Sequence, residues 1–343
     1  MISYAQSGAL WTGEHAPQAN RFLGGLREAL PLLFGSGYPL TLESAVASYF
    51  VVLAVPTLMV VLLLVRLAKN RLHIASGDVD LLFNWSMAFA ITGLLAFPVF
   101  TQDLWLSAAW GKMITSGVNP YYIPLMQNAA AGLPLDHFSM VMSYGPLWAI
   151  ISAAVMALAG ASVLTAGLAF KLVLAAAWVG TLFVIRQMAR RRQAYDASLA
   201  MLMMGWTPLS VTQSLFEGHN DIAMMWLAMI WVWLLINRQG KEQLALVASI
   251  AVKYVTAPLF LIDFIHKVCV RQQTLAQYAS SLIVPAVAGL LIFGLFFRSP
   301  AFFDGLFQIS EWHFLQPDDA VKGLAEFAGL NLSYIALLAR GVL

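Results

Sequence analysis

Residues 45–67 read AVASYFVVLAVPTLMVVLLLVRL, with Arg66 as the single charge. A helix needs about 20 apolar residues to cross about 30 Å of hydrocarbon, so this run is long enough to span a bilayer. Comparable runs follow at Leu81–Phe100, Asp196–Leu215, Ile222–Ile236, Ser281–Phe297 and Leu324–Leu338. Transmembrane barrels use short alternating segments instead, so the expected fold is an all-α, polytopic membrane bundle, with about eight to ten membrane segments. Composition agrees: the 343 residues are 60% hydrophobic and only 10% charged, with a mean hydropathy of +0.77. A soluble domain carries about 25% charged residues, so this chain has too little polar surface to face water all round.

Charge and cysteine usage narrow the function classes. Nineteen basic residues against 17 acidic leave a net charge of +2, without the basic footprint of a nucleic-acid binder. Cys269 is the single cysteine, so neither an internal disulfide nor a cysteine zinc site can form. His15, His73, His137, His219, His266 and His313 are scattered, with no pair at metal-helix spacing.

Basic loops favour the cytoplasm. Arg66, Lys69, Arg71 and His73 therefore place the first loop inside and the next, Thr101–Ser143, outside. Arg186 and Arg190–Arg192 return the chain to the inside, which demands an odd number of crossings over Tyr144–Ile185, a stretch long enough for two helices; one is expected to be re-entrant. Gln243–Ile265, interrupted by Lys253 and Pro258, reads as a broken or partly inserted helix pair. The turn at Gly218–Asp221 and the segment Arg298–Pro317 then fall outside with the long loop. The N-terminus also falls outside, Arg21–Leu33 reads as an interfacial helix, and without a signal-peptide pattern the first span is expected to be retained. The organisation expected is one membrane domain over residues 1–343: an N-terminal segment 1–44, an outer loop 101–143, and the remaining bundle 144–343.

Polar residues at the outer rim carry the chemistry. Asp103 leaves the second span beside Trp105, where partial desolvation makes a carboxylate a better base, although such an Asp also serves as an ordinary helix cap. Gly117-Val118-Asn119-Pro120-Tyr121 stops the helix after Asp103 and turns the chain. Tyr144-Gly145-Pro146-Leu147 opens the next apolar segment with Pro at a helix start. In Glu217-Gly218-His219-Asn220-Asp221, Asn220 or Asp221 can cap a helix whose free N–H groups suit an anion, with His219 as donor; a tight turn accounts for the residues equally well. Lys171, near a segment end, is read as snorkelling. Lys253, deeper, either pairs with Asp263 or contacts an anion. Trp226, Trp231 and Trp233 are read as packing or lipid-facing residues.

Taken in order, Asp103, the GxNPY run at Gly117–Tyr121, YGPL at Tyr144–Leu147, GHND at Gly218–Asp221 and the KY element at Ala251–Tyr254 resemble the GT-C glycosyltransferases. They are similar in particular to the polyprenol-phosphomannose-dependent α-mannosyltransferases and their DUF2029 relatives. The resemblance implies hexose transfer, mannose by preference, from a polyprenyl-phosphate donor to a lipid or glycan acceptor. It implies a bacterial plasma membrane with the site on the outer face, one inverting displacement with Asp103 as base, and no cofactor or divalent metal. His219, Asn220, Asp221, Lys253, Tyr144, Asn119 and Tyr121 become the residues expected to hold donor phosphate and sugar. Asp221 alternatively serves as a second catalytic or metal-binding carboxylate. Two other classes compete: a transporter or lipid flippase, in which Asp103, Asp221 and Lys253 are coupling charges, and a noncatalytic subunit of an envelope-assembly complex.

Overall fold

The computed structural model describes residues 57–305, apart from 64, 67–68, 70–75, 96–97, 99–100, 126–128, 130–132, 134, 136–139, 161, 192–194 and 238–239. The interfacial helix expected at Arg21–Leu33, the first twelve residues of the run at 45–67 and the span at Leu324–Leu338 lie outside the described residues. Among the described residues the fold is helical, with no strand. This is a helical membrane protein. The chain runs through α1 (Ser76–Leu95), α2 (Asp103–Thr115), α3 (Pro146–Ala159), α4 (Val163–Arg191), α5 (Tyr195–Gly205) and α6 (Pro208–Val211). It continues through α7 (Asp221–Ile236), α8 (Glu242–Val252), α9 (Leu259–Ile265), α10 (Leu275–Ser281) and α11 (Ile283–Gly294).

Among the described residues two stretches are long and apolar enough to cross a membrane, Val163–Arg190 and Leu275–Gly294. The second exposes Leu275, Ile283, Val284, Val287, Leu290 and Leu291, as a lipid-facing helix should, because hydrocarbon charges nothing for apolar surface. A third candidate is bent: Pro208–Phe216 and Asp221–Ile236 pass the same test together but meet at 115°. The run expected as one span at Asp196–Leu215 is broken within itself. Pro208 cannot continue the hydrogen-bond ladder and forces the preceding Thr207 into extended backbone (φ −69°, ψ 125°). Beyond Pro208 the chain widens into a π turn, Thr212–Phe216, and stops at Gly218, whose φ of +77° a side chain would strain.

The segment Thr101–Ser143 does not hang free of the bundle. Its helix α2 is buried nearly all round, with Leu104, Trp105, Ala108, Ala109, Trp110 and Met113 each at 1% exposure or less. It lies against α3, where the Trp148 indole donates to Ser107 Oγ at 2.9 Å. The helix ends as the sequence suggests: Gly117 N–H returns to Ile114 O and Val118 N–H to Met113 O, both at 2.9 Å.

Tyr144–Ile185 forms the two helices α3 and α4, and only α4 has spanning length. At one end of α4, Arg186 and Arg190 hold Asp80 of α1 at 2.6 and 2.8 Å. Lys171 stands fifteen positions earlier on the same helix, about 22 Å away at 1.5 Å per residue. The bundle thus carries two polar layers on opposite halves.

Gln243–Ile265 breaks where expected, between α8 and α9 at Lys253. A buried ionic cluster fixes its far ends. Lys267 bridges Glu242 at 2.9 Å and Asp263 at 3.8 Å. Asp263 also accepts from the Trp231 indole at 3.1 Å and the Gln243 amide at 3.2 Å. Lys253 therefore does not pair with Asp263, whose oxygens these partners already occupy.

Candidate active site

Two helix breaks and one helix start converge. The elbow between the π turn and α7 carries His219, Asn220 and Asp221; the break after α8 carries Lys253; the first residue of α2 is Asp103. His219 Nδ1 donates to Asp103 Oδ2 at 2.6 Å, joining residues 116 positions apart. Lys253 Nζ donates to both carboxylate oxygens of Asp221 at 2.8 Å. The same ammonium lies 5.6 Å from the Tyr144 ring centroid, so one ring links the two pairs: its hydroxyl faces Asp103 and its face meets Lys253. The Asp103 and His219 side chains keep 27% and 25% exposure, open enough to be reached by a substrate and closed enough to be partly desolvated.

The local sequence explains this meeting. Gly218 rests on Leu104: a Cβ there would approach Leu104 Cδ1 at 3.0 Å, so the missing side chain lets the elbow sit on the first turn of α2. Below it lies a brace of buried charge. Lys171, 2% exposed, donates to Phe216 O at 2.7 Å and to Leu215 O. Its charge thus caps the negative end of the π turn rather than reaching for the interface, which corrects the snorkelling expectation. Glu217, 3% exposed, accepts from Thr101 N–H at 3.1 Å, and Thr101 Oγ1 accepts from Asp103 N–H at 3.2 Å. The brace therefore ties the elbow to the backbone that carries Asp103. Sequence reasoning missed this role for Lys171 and Glu217, and the available signal was a lysine in an apolar run with a glutamate just before Gly218.

The remaining expected residues divide. Asn220 caps α7 by position but makes no capping bond; it is 1% exposed, and its Oδ1 and Nδ2 both lack a hydrogen-bond partner. A buried amide with both ends unsatisfied is costly, and a polar ligand at the elbow would satisfy it. Asn119 and Tyr121 instead hold the loop together. Asn119 donates to Phe296 O at 2.9 Å, Tyr121 donates to Tyr144 O at 2.8 Å, and the Tyr121 ring stacks on Phe302 at 4.2 Å. Trp226 packs against Gly180, and Trp231 anchors Asp263, so both are structural. Among the described residues no group of three His, Cys, Asp or Glu could hold a metal ion.

Burial pushes the Asp103 carboxyl up. The hydrogen bond and charge of His219, aided by Lys253 and Tyr144, outweigh that and hold it below 3.8. Burial likewise disfavours the His219 imidazolium, and Asp103, with help from Asp221, wins and raises it above 6.5. Asp103 is thus ionised throughout the neutral range, while His219 gives up its proton only above its ordinary value. The stabilisation from Asp103 is lost as pH falls below 3.8, and that from His219 is lost as pH rises past 6.5, so the pair is strongest between. His219→Ala removes the largest lowering influence on Asp103, so its carboxyl moves up from the lowered value, with Lys253 and Tyr144 still opposing burial. The acid limb of the activity profile should therefore move toward neutral pH while the alkaline limb disappears. A pH series of kcat/KM in membranes checks this, and an unmoved acid limb separates His219 from Asp103.

A family model described as alpha-(1->6)-mannopyranosyltransferase, N-terminal domain, matches residues 23–271. The chain belongs to this family. It is accordingly a glycosyltransferase of the mannosyl-transferring class, and the matched range contains Asp103, Tyr144, the elbow and Lys253 together. No curated protein and no solved structure matches the chain. The mannopyranosyltransferase membership agrees with the GT-C resemblance carried by the five sequence elements, four of which contribute a residue to one cluster.

Proposed function

We propose that this mannosyltransferase moves a hexose, mannose by preference, from a polyprenyl-phosphate donor to a hydroxyl of a lipid or glycan acceptor. The acceptor oxygen attacks the anomeric carbon as the bond from that carbon to the phosphate oxygen breaks. The hydroxyl proton passes to the Asp103 carboxylate, and polyprenyl phosphate leaves as the anion. A phosphate is already a good leaving group, so one base suffices and no second carboxylate has to act as acid, in contrast to glycoside hydrolysis. Displacement in one step inverts the anomeric centre.

The observation that carries the reading is the Asp103–His219 contact at 2.6 Å, because it sets a carboxylate base beside a cationic donor. Around it stand Lys253, the buried unsatisfied Asn220 amide and the start of the sixteen-residue α7, all suited to a phosphate whose negative charge grows as it leaves. The apolar helices α10 and α11 offer lipid-like surface for the donor tail. The Lys171 layer lies on the half of α4 opposite Arg186 and Arg190, which, with the rule that basic loops stay inside, supports a site on the outer face; the bacterial plasma membrane is the setting that the GT-C resemblance implies.

The test is label transfer in membranes supplied in parallel with polyprenyl-phosphate mannose, polyprenyl-phosphate glucose and a nucleotide sugar, with the anomer of the product determined. Transfer from a polyprenyl phosphate with inversion is the expected result. Transfer from the nucleotide sugar alone would overturn the donor assignment.

A further inference from the structure

The four ionisable side chains of the cluster stand in two contacts, Asp103 with the His219 ring and Asp221 with Lys253. A site built only to attract a phosphate would leave its cations free. Here the one lysine is held by both oxygens of a carboxylate, at 2.8 Å each. We infer that Asp221 sets the charge the site accepts, admitting a phosphodiester with one negative charge and rejecting the doubly charged phosphomonoester formed when the sugar has left. The inference rests on the donor reading above and adds a means of product release to it.

The argument is one of distance and charge. A phosphate that reaches Lys253 must come within about 5 Å of the Asp221 carboxylate, because the two side chains are in contact, and a second negative charge at that range is penalised about tenfold or more. A sugar phosphodiester carries one charge at any physiological pH. A phosphomonoester, with its second ionisation near about pH 6, carries close to two. Lys253 meets the single charge of the donor, whereas the second charge of the product finds no further lysine among the described residues of the cluster and faces the Asp221 carboxylate. Asp221 has 45% side-chain exposure and Lys253 30%, so the pair can open toward an incoming anion without stranding a buried charge. Asp221 also holds Lys253 over the Tyr144 ring, 5.6 Å from its centroid.

The test measures binding of two probes to the purified full chain in lipid nanodiscs at pH 8: farnesyl phosphate and its methyl diester. The wild type should prefer the diester by about tenfold or more. Asp221→Asn should bring the ratio of the two affinities close to one, and Asp221→Glu, which keeps the charge, should retain the preference. Asp221→Ser serves as a second neutral variant should the asparagine variant not fold. Equal or tighter binding of the monoester by the wild type would overturn the inference, as would an unchanged ratio in the neutral variants or a lost preference in Asp221→Glu. Binding of neither probe by the wild type would overturn the donor reading itself, so the two failures are distinct.

Discussion

Asp103→Asn should lower sugar transfer by about 10²–10⁴-fold, the usual contribution of a positioned general base. Asparagine keeps the size of the side chain, its place on the first turn of α2 and an oxygen for the His219 bond seen at 2.6 Å. It cannot take a proton from the acceptor hydroxyl. The loss should fall on kcat with the donor KM little changed, because the phosphate contacts proposed above come from the elbow and from Lys253. Expression and membrane insertion should match the wild type, since Asp103 is partly exposed and its removal strands no fully buried cation. Radiolabel transfer in membranes at saturating donor checks this, and full activity in the variant removes Asp103 from the base role.

Gly145→Ala should cost as much by a different route. Gly145 has ordinary extended backbone (φ −70°, ψ 161°), so its dihedral angles do not require glycine. The space around it does. A Cβ would lie 2.2 Å from Ala251 O and 2.5 Å from Ala251 C, both backbone atoms in the last turn of α8. Neither can move aside as a flexible side chain would, and the Gly145 N–H bond to Val252 O at 2.9 Å holds the two segments in that register. The methyl group must push α8 away and carry Lys253 with it, out of line with Asp221 and the Tyr144 ring. A displacement of about 1 Å in a reacting site costs about 10²-fold, and the overpacking costs a further ~1–3 kcal/mol of stability. Transfer rate and thermal unfolding in detergent measure the two effects. A variant with wild-type kinetics and a lowered unfolding temperature would show that the contact supports the fold without setting the site.

The Gly145 contact also explains why two of the sequence elements occur together. YGPL at Tyr144–Leu147 and KY at Lys253–Tyr254 lie more than a hundred residues apart, yet the glycine of one is the space into which the backbone before the other fits. Read singly, each is a helix start or a helix break. In contact, they bring the Tyr144 ring under the Lys253 ammonium. The aromatic residues of the long loop act in the same way: Tyr121 holds the Tyr144 carbonyl, so the GxNPY run steadies the site from behind.

What the amino-acid sequence determined alone was everything governed by local transfer energies and local backbone chemistry. Apolar run length forced helices into a membrane, Pro146 and Gly117 set where helices begin and end, and the interruption at Lys253 marked a break, because each depends on a few neighbouring residues. The partners of the charges were not local. Lys253 could have met Asp263 ten positions on along the chain, and Lys171 could have reached for water. The fold gave Asp263 to Trp231, Gln243 and Lys267, gave Asp221 to Lys253, and buried Lys171 against the π turn. A π turn shifts the register of everything after it, and a 115° elbow redirects the next helix, so the direction of His219 is a property of the packed bundle. Inside a membrane a charge takes whichever partner the packing brings close, and only the assembled helices decide which one that is.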